Sequence, residues 1–207
     1  GTVRIWSPDP SGAASPRNAT IHCGAEVQAV EWDGRANRLL LLGTSQGNVK
    51  AWNVDNKRIV CDAAGDDAHP RFADMQCSPT ENIFVCATVT TSAHVMSIPP
   101  DTPGGQVTIW SLKLFKPLHT LPLGPDAAVV HALAFNHNGK MLATAGSDGM
   151  IRLFDLNAQK QIMGWPAQAA GHAATGLAFS TDQNAVFSVG TDGTVSEWSL
   201  HRLRSVL

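Results

Sequence analysis

Four times along this chain two apolar runs are joined by a short glycine-bearing turn, and the second run ends on an aromatic residue. The copies read LLLLGTSQGNVKAWNV, the interrupted IFVCATV…GGQVTIWSL, MLATAGSDGMIRLFDL and AVFSVGTDGTVSEWSL, and a headless fifth, GTVRIWSP, opens the sequence. The closing aromatics are Trp6, Trp52, Trp110, Phe154 and Trp198, at intervals of 46, 58, 44 and 44 residues. Gly47, Gly105, Gly149 and Gly193 each stand five residues before theirs. A repeat of this length built from short strands cannot bury its apolar faces alone, so each copy must stack on its neighbours. The pattern predicts an all-β chain of four-stranded antiparallel blades, a β-propeller, with strands a to d running outward from a central channel.

The third full copy shows the grammar most clearly. Val129 to Phe135 reads as strand a and Met141 to Ala145 as strand b. Met150 to Phe154 follows as strand c and Lys160 to Trp165 as strand d. Asn138-Gly139 supplies the positive φ angles of a tight a–b turn. No segment reads as a helix, because proline and glycine interrupt the chain and period-2 alternation dominates its apolar runs. Extended over the chain, the pattern divides it into 1–23 (end of a blade), 24–61, 62–123, 124–166 and 167–207 (a blade without a clear outer strand at Leu203 to Leu207). Ser7 to Asn18 is a proline- and serine-rich c–d loop. An insertion at 90–104, between strands b and c of the second full blade, accounts for the 58-residue interval. Joining the two ends would supply a strand d but duplicate a strand c. The chain therefore reads as a partial propeller, with three complete blades and an incomplete one at each end.

Composition narrows the function classes. The 207 residues carry a net charge of −2, which gives no bulk electrostatic attraction to nucleic acid or anionic lipid. No run approaches eighteen apolar residues, and no basic-then-apolar leader opens the sequence. Cys23, Cys61, Cys77 and Cys86 form no C-x-x-C pair and sit in or beside strand-like runs, which favours free thiols in a reducing compartment. The glycosylation triplet Asn18-Ala19-Thr20 lacks a secretory context. The eight histidines show no metal-ligand spacing, and no motif calls for a cofactor.

One motif imitates a catalytic one. Gly43-Thr44-Ser45-Gln46-Gly47 spells the G-x-S-x-G nucleophile elbow, which needs a helix after the serine. Here a strand follows, and the pentad aligns with AGSDG and VGTDG, so Ser45 is a hairpin residue. No catalytic residue is expected. Surface loops are the better source of function on such a scaffold. The insertion carries His94, Met96 and Ile98 ahead of Pro99-Pro100, apolar residues in a loop unable to bury them, and is a candidate partner-binding segment.

These repeats resemble the WD-repeat family over essentially the whole chain. The resemblance implies that His172, Ser188, Asp192 and Trp198 form a buried hydrogen-bonded tetrad, with Asp accepting from His and His, Ser and Trp linked in turn. A Ser/His/Asp set otherwise suggests a hydrolase triad, but these slots recur once per blade and decay elsewhere, as architecture does. The third copy keeps Thr144 and Asp148 and has Phe154 and Ala128 in the other slots. The first keeps Trp52 beside Leu42, Gln46 and Ala25, and the second keeps Trp110 beside Cys86 and Pro70.

Longer phrases, among them RLLLLGTSQGNVKAWNVDNKRIVCD, FNHNGKMLATAGSDGMIRLFDL and TDGTVSEWSLH, resemble an endosomal branch of the family. Its members act with a late-endosomal Rab GTPase and restrain phosphatidylinositol 3-kinase activity as endosomes mature. The resemblance implies a non-enzymatic scaffold for protein–protein interaction, cytoplasmic and peripheral to early and late endosomes. Its implied partners are that GTPase and subunits of the kinase complex. Two other readings are a generic WD-repeat adaptor and a substrate receptor of a cullin-type ubiquitin ligase. The receptor signature Trp-Asp-x-Arg belongs at the end of strand c, whereas Trp32-Asp33-Gly34-Arg35 follows strand a. A phosphoinositide-binding propeller would carry paired arginines, and the chain has no Arg-Arg pair.

Overall fold

The computed structural model describes residues 1–6, 18–65, 71–90, 104–124 and 128–201. Among them every element is a strand except at Leu200 and His201, which are helical where no helix was expected, and the strands form five antiparallel sheets. A two-stranded sheet pairs β1 (Thr2–Ile5) with β2 (Ala19–His22). Three four-stranded sheets follow in chain order. The first is β3 (Val27–Trp32), β4 (Leu39–Thr44), β5 (Asn48–Asn53) and β6 (Arg58–Ala64), and the second is β7 (Arg71–Cys77), β8 (Ile83–Val89), β9 (Gly105–Ser111) and β10 (Lys116–Thr120). The third contains β11 (Val130–Phe135), β12 (Met141–Gly146), β13 (Met150–Asp155) and β14 (Lys160–Pro166). The last sheet has β15 (Ala174–Phe179), β16 (Ala185–Gly190) and β17 (Val195–Ser199). The division expected after Cys61 falls inside β6, and the tails expected at Ser7 to Asn18 and Leu203 to Leu207 lie almost wholly outside the described residues.

Successive inner strands β3, β7, β11 and β15 are neighbours in space, so the sheets stand side by side around one axis as the blades of a partial propeller. The core is correspondingly layered. One cluster, with Leu41, Met75, Phe84 and Trp110, lies between the first two full blades. A second, with Val85, Leu133, Leu142 and Phe154, lies between the next two, and a third, with Leu153, Trp165 and Val186, joins the last pair. The β1–β2 hairpin covers Leu40, Leu42 and Trp52 on the outward face of the first full blade. Each fully buried Leu or Phe here is worth about 1.5–3 kcal/mol relative to exposure.

Burial explains the sequence pattern strand by strand. β4, β8 and β12 are packed on both faces, and their sequences are nearly continuous apolar runs, interrupted only by the buried Thr44, Thr88 and Thr144. β16 alternates instead: Val186 and Ser188 are buried while Phe187 and Val189 are exposed, so one face of the last sheet is uncovered. The outer strands open on Arg58, Lys116 and Lys160 and each carries a bulge, two devices that blunt an exposed sheet edge.

Turns repeat with the blades. Asp33, Ser78, Asn136 and Ser180 each follow an inner strand, and each side-chain oxygen accepts a backbone N–H of its own a–b turn or of the start of strand b. In the b–c turns Gly47, Gly149 and Gly193 adopt positive φ of 79°, 72° and 77°. Gly105 does not share that role: it begins β9, and a side chain there would press on the Ala128 carbonyl. With a long b–c segment in place of the tight turn, close packing and not φ keeps that position a glycine.

Candidate functional site

At the end of the channel where the b–c and d–a connections lie, a cleft of about 690 Å³ opens between the inner strands. Its walls include Glu26, Gln28, Arg71, Val129 and His131. Three of the inner strands place the extra residue of a β-bulge in this wall, namely Gln28, Ala73 and His131. A bulge turns one additional side chain out of the alternation, and its recurrence in register lines the cleft. The fourth inner strand carries the same bulge at Thr175.

The candidate insertion springs from the rim of this cleft. Thr90 and Gly104 both line it, and the Thr90 N–H and hydroxyl donate to the Gly104 carbonyl at 3.2 and 3.3 Å. The segment therefore leaves and returns at one point. His94, Met96, Ile98, Pro99 and Pro100 lie outside the described residues. Reading the sequence for motifs missed Glu26, Gln28, Arg71 and His131. The available signal was their shared position at the start of each strand a, which no single copy reveals.

The four tetrad positions come together only in part. Trp198 Nε1 donates to Ser188 Oγ at 2.9 Å across the β16–β17 pair. Asp192 is engaged elsewhere: its Oδ1 accepts the Thr194 N–H at 2.9 Å and the Thr194 hydroxyl at 2.7 Å. These bonds hold its carboxyl below the usual carboxylate range, with a further contribution from the His172 charge. His172 is exposed, and its Nδ1 lies 3.5 Å from Thr191 Oγ1. Of the blade-marking aromatics, Trp110 and Phe154 are buried, Trp52 and Trp198 half-buried, and Trp6 is 72% exposed. Ser45 occupies the β4–β5 turn, where its N–H donates to the Glu26 carbonyl.

Polar side chains on the inner strands β3 and β7 tie the first three full blades together. Gln28 Oε1 accepts the Phe72 N–H, Glu31 Oε1 accepts the Cys77 N–H, and Asp74 Oδ2 accepts the Leu133 N–H at 2.7 Å. Burial pushes both carboxyls above their ordinary values, and the Asp74 charge adds to the rise at Glu31. The same burial carries the Cys77 thiol up to about 12, so it is an unreactive, protonated core residue. Among the described residues no group of three or more His, Cys, Asp or Glu is placed to hold a metal ion.

The profile described as "WD domain, G-beta repeat" matches residues 115–155 and 166–199. These two segments are WD repeats. The first match begins just before the outer strand β10 and ends on strand c of the following sheet, offset from the blade, whereas the second begins on the last residue of β14 and nearly coincides with the last sheet. WD repeat-containing protein 91 of Danio rerio is 36% identical over 205 residues, covering 98% of this chain and 28% of that protein. The WD repeat-containing protein 91 homolog of Dictyostelium discoideum is 32% identical, covering 98% and 24%. The chain thus spans about a quarter of the length of these relatives. Among solved structures, the computationally designed Ika4 protein matches with a TM-score of 0.63 at 20% identity, over 86% of this chain and 93% of that one. The designed Ika8 protein matches with 0.62, over 84% and 46%. These two likenesses concern the fold.

Proposed function

We propose that this chain is the propeller portion of a protein-interaction scaffold that grips its partners at the cleft beside the insertion. The observation that carries the reading is the cleft itself. Three bulged inner strands line it, it carries charge of both signs at Glu26 and Arg71, and the insertion is rooted on its rim. WD-repeat scaffolds are typically non-enzymatic, and a cleft of this kind offers contacts and no chemistry. The likeness to WD repeat-containing protein 91 supports an endosomal setting, with a late-endosomal Rab GTPase and the phosphatidylinositol 3-kinase complex as partners and localisation peripheral to endosome membranes. No helix of the described residues is long and apolar enough to cross a membrane. The ligase-receptor alternative loses ground, because Asp33 of the Trp32-to-Arg35 phrase spends both carboxylate oxygens on its own a–b hairpin.

Affinity capture with the full-length protein tests the reading. Charge reversal at Arg71 combined with His131→Ala should abolish recovery of the GTPase or kinase subunits while leaving the melting temperature unchanged. Replacing residues 92–102 by a short Gly-Ser turn should do the same. Undiminished capture by both variants places the binding surface elsewhere.

A further inference from the structure

One position is filled by Thr in the first two full blades and by Gly in the third and in the last, three-stranded sheet. It is the residue of strand b lying four beyond the partner of the blade-marking aromatic: Thr44, Thr88, Gly146 and Gly190. In three blades the chain itself occupies the surrounding space. The Thr44 hydroxyl donates to the Asn48 carbonyl at 3.3 Å. At Gly146 an added side chain would meet Asp148 Oδ1 at 2.5 Å, and at Gly190 it would strike the Gln168 amide. The second blade is the exception. Thr88 is only 8% exposed, yet its hydroxyl has no hydrogen-bond partner, and the residue lines a cavity of about 210 Å³.

That cavity lies between the first two full blades. Phe72, Trp110 and Pro117 give it three rings, and Thr88, Gln106 and Thr108 give it hydrogen-bonding groups. The Thr108 hydroxyl is already committed to Gln106 Oε1 at 3.2 Å, which leaves Thr88 as the unpaired group. No charged side chain lines it among the described residues, so a charged ligand would pay its desolvation without compensation. A dry apolar cavity of about 150 Å³ accepts benzene, so this one has room for a somewhat larger ring. From this geometry we infer a binding site for a small, neutral nitrogen heteroaromatic ring. The ring stacks among Phe72, Trp110 and Pro117, and its N–H donates to the Thr88 hydroxyl. Phe72 lines both this site and the channel cleft, and the inference does not rest on the function proposed for that cleft.

Indole and its carbon isostere indene are suitable probes, titrated against the full-length protein by ligand-observed NMR. Indole should bind saturably and more tightly than indene by about fivefold to tenfold, the value of one neutral hydrogen bond. Thr88→Val keeps the shape and removes the hydroxyl, and should erase that difference. Thr120→Trp, at an exposed position of the cavity wall, should close the mouth and abolish both. Addition of N-acetyl-tryptophanamide separates sources: competition with indole identifies a partner's side chain as an admissible occupant, and no competition restricts the site to free heterocycles. Absence of saturable binding, equal affinity for the two probes, or binding untouched by Thr120→Trp overturns the inference.

Discussion

The first and third full blades and the last, three-stranded sheet carry the same pair of slots on strands b and c and fill them with different chemistry. In the last blade Ser188 faces Trp198 and the pair closes a hydrogen bond at 2.9 Å. In the third, Thr144 has Phe154 in the aromatic slot, and its buried hydroxyl has no partner. In the first, Leu42 holds the hydroxyl slot, two residues on from Leu40, the cross-strand partner of Trp52, and the buried Trp52 Nε1 has no partner. A donor without an acceptor and an acceptor without a donor are the two halves of one lost bond. The blades stand nonetheless, because the inter-blade apolar layers carry the stability and the bond adds only an increment.

The largest expected effect is at Leu42, which is fully buried. Leu42→Ala should cost about 2–5 kcal/mol through lost burial and a cavity. Leu42→Ser should cost about 1 kcal/mol less than that, because its hydroxyl gives Trp52 Nε1 an acceptor. Urea denaturation of the two variants measures the difference, and identical losses would break the pairing argument. Next comes Ser188→Ala, which strips Trp198 of its acceptor and should cost about 1–3 kcal/mol. A loss below the error of the melt would show that this bond contributes nothing.

The interfaces between blades differ in the same way, and pH exposes it. Glu31 and Asp74 clasp the first and second interfaces, whereas Ala132, Ala145 and Ala174 meet at the third. Both carboxyls are raised by burial, so the folded state binds their protons more tightly than the unfolded chain does. That contribution is complete below the unfolded value and is lost as pH rises through the folded one. Glu31→Gln keeps the acceptor for Cys77 N–H and removes the titration. It should flatten the pH dependence across the acid range and raise stability at neutral pH relative to the parent. An unchanged pH profile would remove Glu31 as its cause. The smallest effect belongs to Thr144→Val, which deletes a hydroxyl that bonds nothing. Its urea midpoint should match the parent or exceed it slightly, and a loss like that of Ser188→Ala would mean the hydroxyl has a partner.

Strand positions were legible from the repeats to within a residue or two. Lys160 to Trp165 became Lys160–Pro166, and Met141 to Ala145 became Met141–Gly146. Alternation and turn chemistry act locally, so they can be read locally. The tetrad was less legible. Its residue types are present at His172 and Asp192, but Thr194 supplies a nearer donor to the carboxylate than His172 does. Which of two hydroxyls and a ring a carboxylate selects depends on ångström differences that spacing does not encode.

The sequence by itself determined the blade repeat and the order of the strands, because period-2 burial and positive-φ glycines leave their mark residue by residue. Tertiary structure alone decided which side chains share a wall. Gln28, Ala73 and His131 lie 45 and 58 residues apart in sequence, and only the stacking of inner strands around one axis brings them to a single cleft. The cavity at Thr88 likewise exists because a neighbouring blade forms its other side. Contacts between blades depend on how whole sheets pack, and no single repeat contains that information.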